Sequence, residues 1–541
     1  MASRWSARVA LSAAVATGAL ARLWNLRDQV AGDDELHAVR AALRHPAGTL
    51  WRSYEKNDNC LPLTLLDRLW MDSGQPLTEL VLRLPVLLCG LALLWWLPRA
   101  VERRLGGGVA LALAWLLALS PLLVLYSRIA RSYAPITLFG SLAAMSFLRW
   151  WLSGSRAAGA LYALFAALTV YFHLIAAPFV LAPWLFAAGD LCVRPRTSAR
   201  PKPLQILAVA LATAAGLAAF LLPARESLGA LFAVKSGEGA LTSETLTGLA
   251  SLWAGTRQPL LGLLFWAAAL AGLILLWRRQ SRLAVFSLVL VVAQLLGLAV
   301  AAPFLVEIPL IFSRYMIVAL PLVLLWVAVA LAAPWTAWPR PGPRATSLAA
   351  AAAIVALPLL SGPLADPAVR SSSFMHADDY LDFTRPYPTL PPQAASGFYR
   401  QPPQPGPIVE GPWPTSWKYG RTLLVDERLH GQRVIAAPYD ETLADPRLRF
   451  RNALATPDAM LASEARWVVI HRDLAAEELQ LPDAQAARGR YAVRAAQEAE
   501  RQRAWAAQML RLLPARWGAP VFEDERIAVW DLEAVRARGG A

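Results

Sequence analysis

Three consecutive acids, Asp33, Asp34 and Glu35, open the stretch GDDELHAVRAALRHP, and they are the first residues in the chain whose types could do chemistry. One acid at a helix start is explained by capping and by the helix dipole, and Asp33 or Asp34 would fill that place ahead of ELHAVRAAL. A run of three is not needed for capping. A carboxylate held at the edge of a bilayer can take the proton from a hydroxyl as a general base. Asp34 and Glu35 are neighbours on a helix and point different ways, so one base and one supporting acid fit better than a dyad. The passage YEKNDNCLPLTLLDRLW follows, with Glu55, Lys56, Asp58 and Asn59 ahead of a short amphipathic stretch. It reads either as the solvated lead-in to an interfacial helix or as a second set of ligands for phosphate, metal or acceptor.

Cations complete the set. Arg128 and Arg131 lie in the turn YSRIARSYAP, just before Tyr133, and Arg314 and Tyr315 lie in PLIFSRYMIVALP. Snorkelling to lipid headgroups is the bland account of such arginines. The sharper one is a bound phosphate, which a guanidinium holds with paired hydrogen bonds. His173, in YFHLIAAP, sits alone in an apolar stretch and reads first as a packed, hydrogen-bonded histidine.

The elements that must hold these residues are membrane spans. The chain has 541 residues, 57% hydrophobic and only 17% charged, which describes a polytopic α-helical membrane protein rather than a soluble one. Apolar runs near the ~20 residues that cross a bilayer fall at 7–24, 80–98, 109–126, 133–151, 158–173, 175–191, 204–222, 259–277, 283–302, 310–333 and 345–361. That gives about eleven spans, counting a break near His173 in an otherwise overlong run. The formal charge of +14 does not point to nucleic acid, because much of it lies in short loops between spans. With the N-terminus in the cytoplasm, Arg99, Arg103, Arg104, Arg149, Arg156, Arg194, Arg200, Arg278, Arg282 and Arg340 all fall inside, as the positive-inside rule asks. The acids, Arg128, Arg131 and Arg314 then face outward. Cys60, Cys89 and Cys192 show no metal-like or redox spacing.

After residue 361 the composition changes. Residues 362–415 are rich in proline and read as a stiff connector. Residues 416–541 carry the strand-like runs RTLLV, QRVIAAP, RWVVIHR and RIAVWDL with a helical stretch at 484–512, which predicts a small extracytoplasmic α/β or α+β domain. Residues 1–361 form the transmembrane domain, with the outer loop 25–78 as its chemical part.

Carboxylates and arginines on one outer face suit displacement of a lipid phosphate from a sugar. Phosphate leaves readily, so one carboxylate base and cations to hold the departing anion would suffice, and direct displacement inverts the anomeric centre. Four passages, GDDELHA, DNCLPLTLLDRLW, LSPLLVLYSRIARSYA and SRYMIVALPLVLLWVAVAL, resemble the GT-C superfamily of integral-membrane glycosyltransferases, and more closely the bacterial relatives of protein O-mannosyltransferases and of the lipid A aminoarabinose transferase. The resemblance covers most of residues 1–335. It implies that Asp34 is the base with Asp33 the weaker candidate, and that Arg131, Arg314 and Tyr315 fall on the family's arginine and Arg-Tyr positions. Many relatives carry His-Pro-Pro-Leu where this chain has Cys60, Leu61, Pro62 and Leu63. The donor implied is a polyprenyl-phosphate sugar, and the acceptor an extracytoplasmic protein, lipid or glycan, at the inner membrane of a bacterium. A divalent metal cation is the one cofactor left open. Lys56 joins the arginines as a phosphate candidate, and Asp58, Asn59, His173, Tyr133 and Tyr315 are candidate contacts to donor or acceptor. Two other classes compete: a transporter or lipid flippase, whose charges would sit nearer the midplane, and an inactive GT-C relic acting in assembly.

Overall fold

A computed structural model describes residues 2–24, 26, 35, 38–39, 41–42, 45–54, 60–75, 77–193, 200–229, 240–256, 258–303, 306–337, 396–400, 405–412, 456–474 and 490–539. Asp33, Asp34, Lys56, Asp58, Asn59, the apolar run 345–361 and the runs RTLLV and QRVIAAP lie outside the described residues. The chain divides into two compact units, one built from the apolar N-terminal part and one from the C-terminal residues.

The first unit is a helical bundle. Its helices are α1 (Ala2–Leu23), α2 (Leu61–Asp72), α3 (Glu79–Leu105), α4 (Gly107–Leu119), α5 (Pro121–Tyr126), α6 (Tyr133–Ser153), α7 (Arg156–Phe172), α8 (Ala177–Val193), α9 (Pro203–Leu221), α10 (Ser243–Ala254), α11 (Pro259–Ala301), α12 (Pro309–Met316) and α13 (Leu320–Ala337). Every apolar run expected up to residue 333 falls on helix. Among the described residues, five stretches are long and apolar enough to cross a membrane: Leu80–Leu105, Leu174–Val193, Pro203–Gly229, Pro259–Ala301 and Pro309–Ala333. The expected total of about eleven is not reached there. The predicted spans 259–277 and 283–302 are two helical halves of α11 that meet at a kink with no loop between them. The break is a single non-helical residue, Gln280, whose amide donates to the Arg104 carbonyl at 2.9 Å. The other long run does break where expected: His173 takes an extended conformation at the end of α7, and its Nδ1 accepts from Ile175 N at 3.4 Å to start the 3₁₀ turn Leu174–Ala176.

The apolar core is shared among the helices: α13 packs on α11 and α4, while α1 packs on α4 and α7 on both α6 and α9. Gly272 on α11 makes one of these approaches possible. A Cβ there would stand 1.7 Å from the Trp326 carbonyl oxygen, so only glycine lets α11 and α13 touch backbone to backbone.

The C-terminal unit carries a four-stranded sheet of β1 (Ile408–Gly411), β2 (Trp467–His471), β3 (Phe522–Glu523) and β4 (Ile527–Asp531), in the order β1-β2-β4-β3, with β1 parallel to β2 and the other pairs antiparallel. Alternation along the strands gives it two apolar faces. Val409, Val468, Ile470, Ala528 and Trp530 pack with α14 (Arg490–Trp517) and α15 (Leu532–Ala537), whereas Ile408, Trp467, Val469, Ile527 and Val529 pack with Phe398 and Tyr399. The runs RWVVIHR and RIAVWDL are therefore strands. β1 lies inside the segment read as a connector, because Ile408 and Val409 are fully buried in this sheet. The folded unit thus begins ahead of residue 416.

Candidate functional site

Glu35 is buried, and its carboxylate is held on two sides. Arg83 Nε donates to Oε1 at 2.8 Å and Arg83 Nη2 donates to Oε2 at 2.7 Å, a paired contact between two buried side chains. The backbone N–H of Ala130 also donates to Oε1, at 2.8 Å. Ala130 lies between Arg128 and Arg131. The Glu35 carboxylate therefore bonds both to α3 and to the arginine turn. Arg83 was not among the residues singled out from sequence, although an arginine inside ELVLRLPVLL is the kind of intramembrane charge that marks a site.

The turn itself is held by a proline defect. Pro121 has no N–H, so the carbonyl of Leu117 one turn earlier loses its helical partner between α4 and α5. Arg22, at the end of α1, supplies donors there: Nη2 to Leu117 O at 3.1 Å and Nη1 to Ala118 O at 3.4 Å. Arg22 Nε also donates to Ser127 Oγ at 3.2 Å, and Ser127 Oγ donates back to Leu123 O. Gly90 on α3 gives room for this contact, since a Cβ there would lie 2.1 Å from Ser127 Oγ. Arg128, expected to bind phosphate, is fully buried, and its Nη1 donates to the Arg22 carbonyl at 2.9 Å and to Ala21 O at 3.3 Å. It caps the C-terminus of α1, a place the helix dipole favours for a cation.

A second group forms around Arg314. Its guanidinium carbon lies 5.5 Å from the Tyr133 ring centre and 5.6 Å from that of Tyr315. His173 stands against both tyrosines, with ring centres 5.7 Å from Tyr133 and 5.8 Å from Tyr315. Gln294 on α11 fixes this cluster: its amide nitrogen donates to the carbonyls of Ile175 and Tyr315, each at 3.0 Å, and its oxygen accepts from Phe179 N at 3.1 Å. Arg314 and Tyr315 are half-buried, whereas Arg131, Tyr133 and His173 are buried. Cys60 is buried, and Ser132 Oγ donates to its sulfur at 3.6 Å.

Two clusters thus meet at the turn 127–133: Glu35, Arg83, Arg22 and Arg128 on one side, and Tyr133, His173, Arg314 and Tyr315 on the other. Arg131 and Ser132 stand between them in sequence. Of the residues expected from sequence, Glu35, Arg128, Arg131, Tyr133, His173, Arg314 and Tyr315 gather here, while Asp33, Asp34, Lys56, Asp58 and Asn59 are outside the described residues. Among the described residues, no three histidine, cysteine or acidic side chains come together as metal ligands. The arrangement places Arg314 between two tyrosine rings, and Arg131 one residue along from the backbone N–H that holds Glu35.

No protein-family model matches the chain, and no curated protein matches it in sequence. Solved structures do share its fold. The chain is similar to ArnT from Cupriavidus metallidurans in the apo state, with 14% identity over 99% of both chains and a TM-score of 0.50. It is also similar to the same protein bound to undecaprenyl phosphate, with 14% identity over 98% of both chains and a TM-score of 0.51. The likeness is one of fold, and it spans nearly the whole of both chains.

Proposed function

We propose that this protein is a membrane glycosyltransferase that moves a sugar from a polyprenyl-phosphate carrier to an extracytoplasmic acceptor, inverting the anomeric centre. The observation that carries the reading is the hydrogen bond from Ala130 N–H to the Glu35 carboxylate. It ties Glu35, which follows Asp34 in the sequence, to the turn that bears Arg131. A base and a phosphate-binding cation are the two groups such a displacement needs, and here their carrier segments share one bond. The undecaprenyl phosphate held by the structurally similar ArnT supports the donor class.

In this reading Asp34 takes the proton from the acceptor hydroxyl as the oxygen attacks the anomeric carbon, and the carbon–oxygen bond to phosphate breaks with its electron pair leaving on the phosphate. Arg131 and Arg314 hold that phosphate, with Lys56 as a further cation, and their charge stabilises the leaving anion. Glu35, neutralised by Arg83, positions Asp34 rather than acting as the base. Arg128 and Arg22 brace the turn. Tyr133, Tyr315 and His173 line the phosphate side, and Asp58 and Asn59 belong to the acceptor or donor contacts of the same outer loop. The reaction takes place at the outer face of a bacterial inner membrane, with the C-terminal unit on that side.

The test is transfer from a synthetic polyprenyl-phosphate sugar by purified protein in lipid. Asp34→Asn is expected to abolish transfer with donor affinity retained, and Arg131→Ala to weaken donor affinity. Full transfer by Asp34→Asn, or no affinity of the wild type for polyprenyl phosphate, would overturn the reading.

A further inference from the structure

One end of α3 carries Arg83, which holds Glu35, and the other end carries Arg104. The helical rise over that interval sets them about 30 Å apart, so Arg104 belongs to the far end of the bundle from the Glu35 turn. Three further elements meet it there in a ring of contacts. Gln280, at the kink of α11, donates to the Arg104 carbonyl at 2.9 Å. Two residues on, Arg282 Nε pairs with Asp190 Oδ1 of α8 at 3.6 Å. Asp190 Oδ2 accepts from Trp151 Nε1 of α6 and from Arg200 Nη2, each at 2.9 Å. Two residues before Trp151, Arg149 closes the ring, and its charge acts against that of Arg104.

The positive-inside rule accounts for arginines near span ends, but not for gathering them. Arg200 is buried beside its carboxylate, and Arg104 and Arg282 are half-buried. Both oxygens of Asp190 are engaged, by Arg200 and Trp151 on one and Arg282 on the other. Among the described residues neither Arg104 nor Arg149 has an acid within ion-pair distance. The connection VRPRTSARPK between α8 and α9 adds more cations and no acid. Cations held together repel one another unless an anion comes between them, and a guanidinium cluster suits a phosphate. The surroundings say which phosphate. Trp277, one turn before Gln280, and Leu191 and Val193, just past Asp190, are exposed. The apolar stretches Leu80–Leu105 and Leu174–Val193 both end at the ring. Exposed apolar side chains at that level can meet acyl chains while the arginines meet a headgroup, and basic pockets between spans bind anionic headgroups in this way.

We propose that Arg104, Arg149 and Arg282, held in place by Asp190, Arg200 and Gln280, form a binding site for the phosphate of an anionic phospholipid in the leaflet opposite the Glu35 turn. A headgroup there neutralises the ring and ties the ends of α3, α6 and α11 together. The site stands apart from the glycosyl-transfer reading and does not depend on it.

The test is binding of fluorescent phosphatidylglycerol to the purified protein in neutral detergent, with unlabelled competitors, and it needs no transfer activity. Dioleoyl phosphatidylglycerol is expected to displace the probe at about tenfold lower concentration than dioleoyl phosphatidylcholine, the scale of a charge-assisted hydrogen bond. Glycerophosphoglycerol, the same headgroup without acyl chains, is expected to displace it only weakly. Arg104→Gln with Arg149→Gln is expected to weaken binding about tenfold or more. Arg103→Gln with Arg278→Gln, which removes the same charge from exposed positions outside the ring, is expected to leave affinity unchanged. Equal loss in the two double variants would overturn the proposal, because the lipid would then be answering diffuse surface charge. Displacement by glycerophosphoglycerol as strong as by the lipid would also overturn it, by making the ligand a free phosphate. Should Arg104→Gln with Arg149→Gln not fold, Arg149→Gln alone, at an exposed position, is expected to weaken binding, and unchanged affinity in that variant would equally sink the site.

Discussion

The ion pair between Glu35 and Arg83 can be tested as a pair. Both side chains are buried, and they share two charge-assisted hydrogen bonds of 2.8 and 2.7 Å. Removing either partner strands the other charge in the bundle, which costs about 3–5 kcal/mol. Glu35→Leu and Arg83→Met should therefore each destabilise by that amount. The double replacement leaves no stranded charge, and buried pairs exchanged for apolar residues of similar volume are often close to neutral. What remains is the Ala130 N–H left without its acceptor, roughly 1–3 kcal/mol. The singles then sum to about 6–10 kcal/mol against about 1–3 for the double, giving a coupling of at least about 3 kcal/mol. The assay is unfolding in mixed micelles titrated with denaturing detergent and followed by tryptophan fluorescence, with 22 tryptophans as the signal. Additivity of the singles within about 0.5 kcal/mol would refute the reasoning, since it would mean the two charges do not depend on each other.

Gly90→Ala should destabilise the bundle by about 1–3 kcal/mol through overpacking, because the new Cβ meets Ser127. Ser127→Gly in the same chain should return part of the loss, read as a shift in thermal midpoint. Arg314→Ala should weaken binding of polyprenyl phosphate about tenfold or more, the scale of a lost charge-assisted hydrogen bond, measured by fluorescence titration. Affinity equal to wild type would remove Arg314 from the phosphate group. In the C-terminal unit, burial alone would raise the Asp524 carboxyl, but hydrogen bonds from the Ser396 hydroxyl and from Ile527 and Arg526 N–H, with the Arg526 charge, hold it below the usual carboxylate range. A depressed carboxyl stabilises the fold above its unfolded value of about 3.9 and loses that contribution as pH falls through the lower folded value. Ser396→Ala should thus lower the thermal midpoint of this unit at neutral pH and narrow its gap to wild type in strong acid.

Apolar periodicity carried most of the fold. The break at His173 was readable because the run from Gly159 to Val193 exceeds one span, and RWVVIHR and RIAVWDL announced two strands. Gln280 was not readable as a one-residue join, because a charged cluster between apolar runs normally marks a loop. In the site, Tyr133, His173, Arg314 and Tyr315 were legible as residues but not as a group, since Gln294, which fixes them, sits in an apolar helix as one amide among leucines. Arg128 carried the same signal as Arg131, yet one caps a helix. Sequence does not show that a guanidinium such as that of Arg128 is spent on backbone carbonyls.

The bonds that Arg22 makes have a consequence for how the chain is put together. Its partners Leu117, Ala118 and Ser127 lie 95, 96 and 105 residues further along. When α1 leaves the ribosome, those carbonyls and that hydroxyl do not yet exist. A guanidinium at the membrane edge is expensive to leave in hydrocarbon, so α1 must stay beside the insertion machinery, or keep Arg22 at the headgroups, until α4 and α5 arrive. Assembly order is then dictated by a proline: the helix break at Pro121 waits on the first helix of the chain, and the first helix waits on the break. Truncated chains ending before residue 117 should accordingly hold α1 loosely, and those reaching past 127 should lock it.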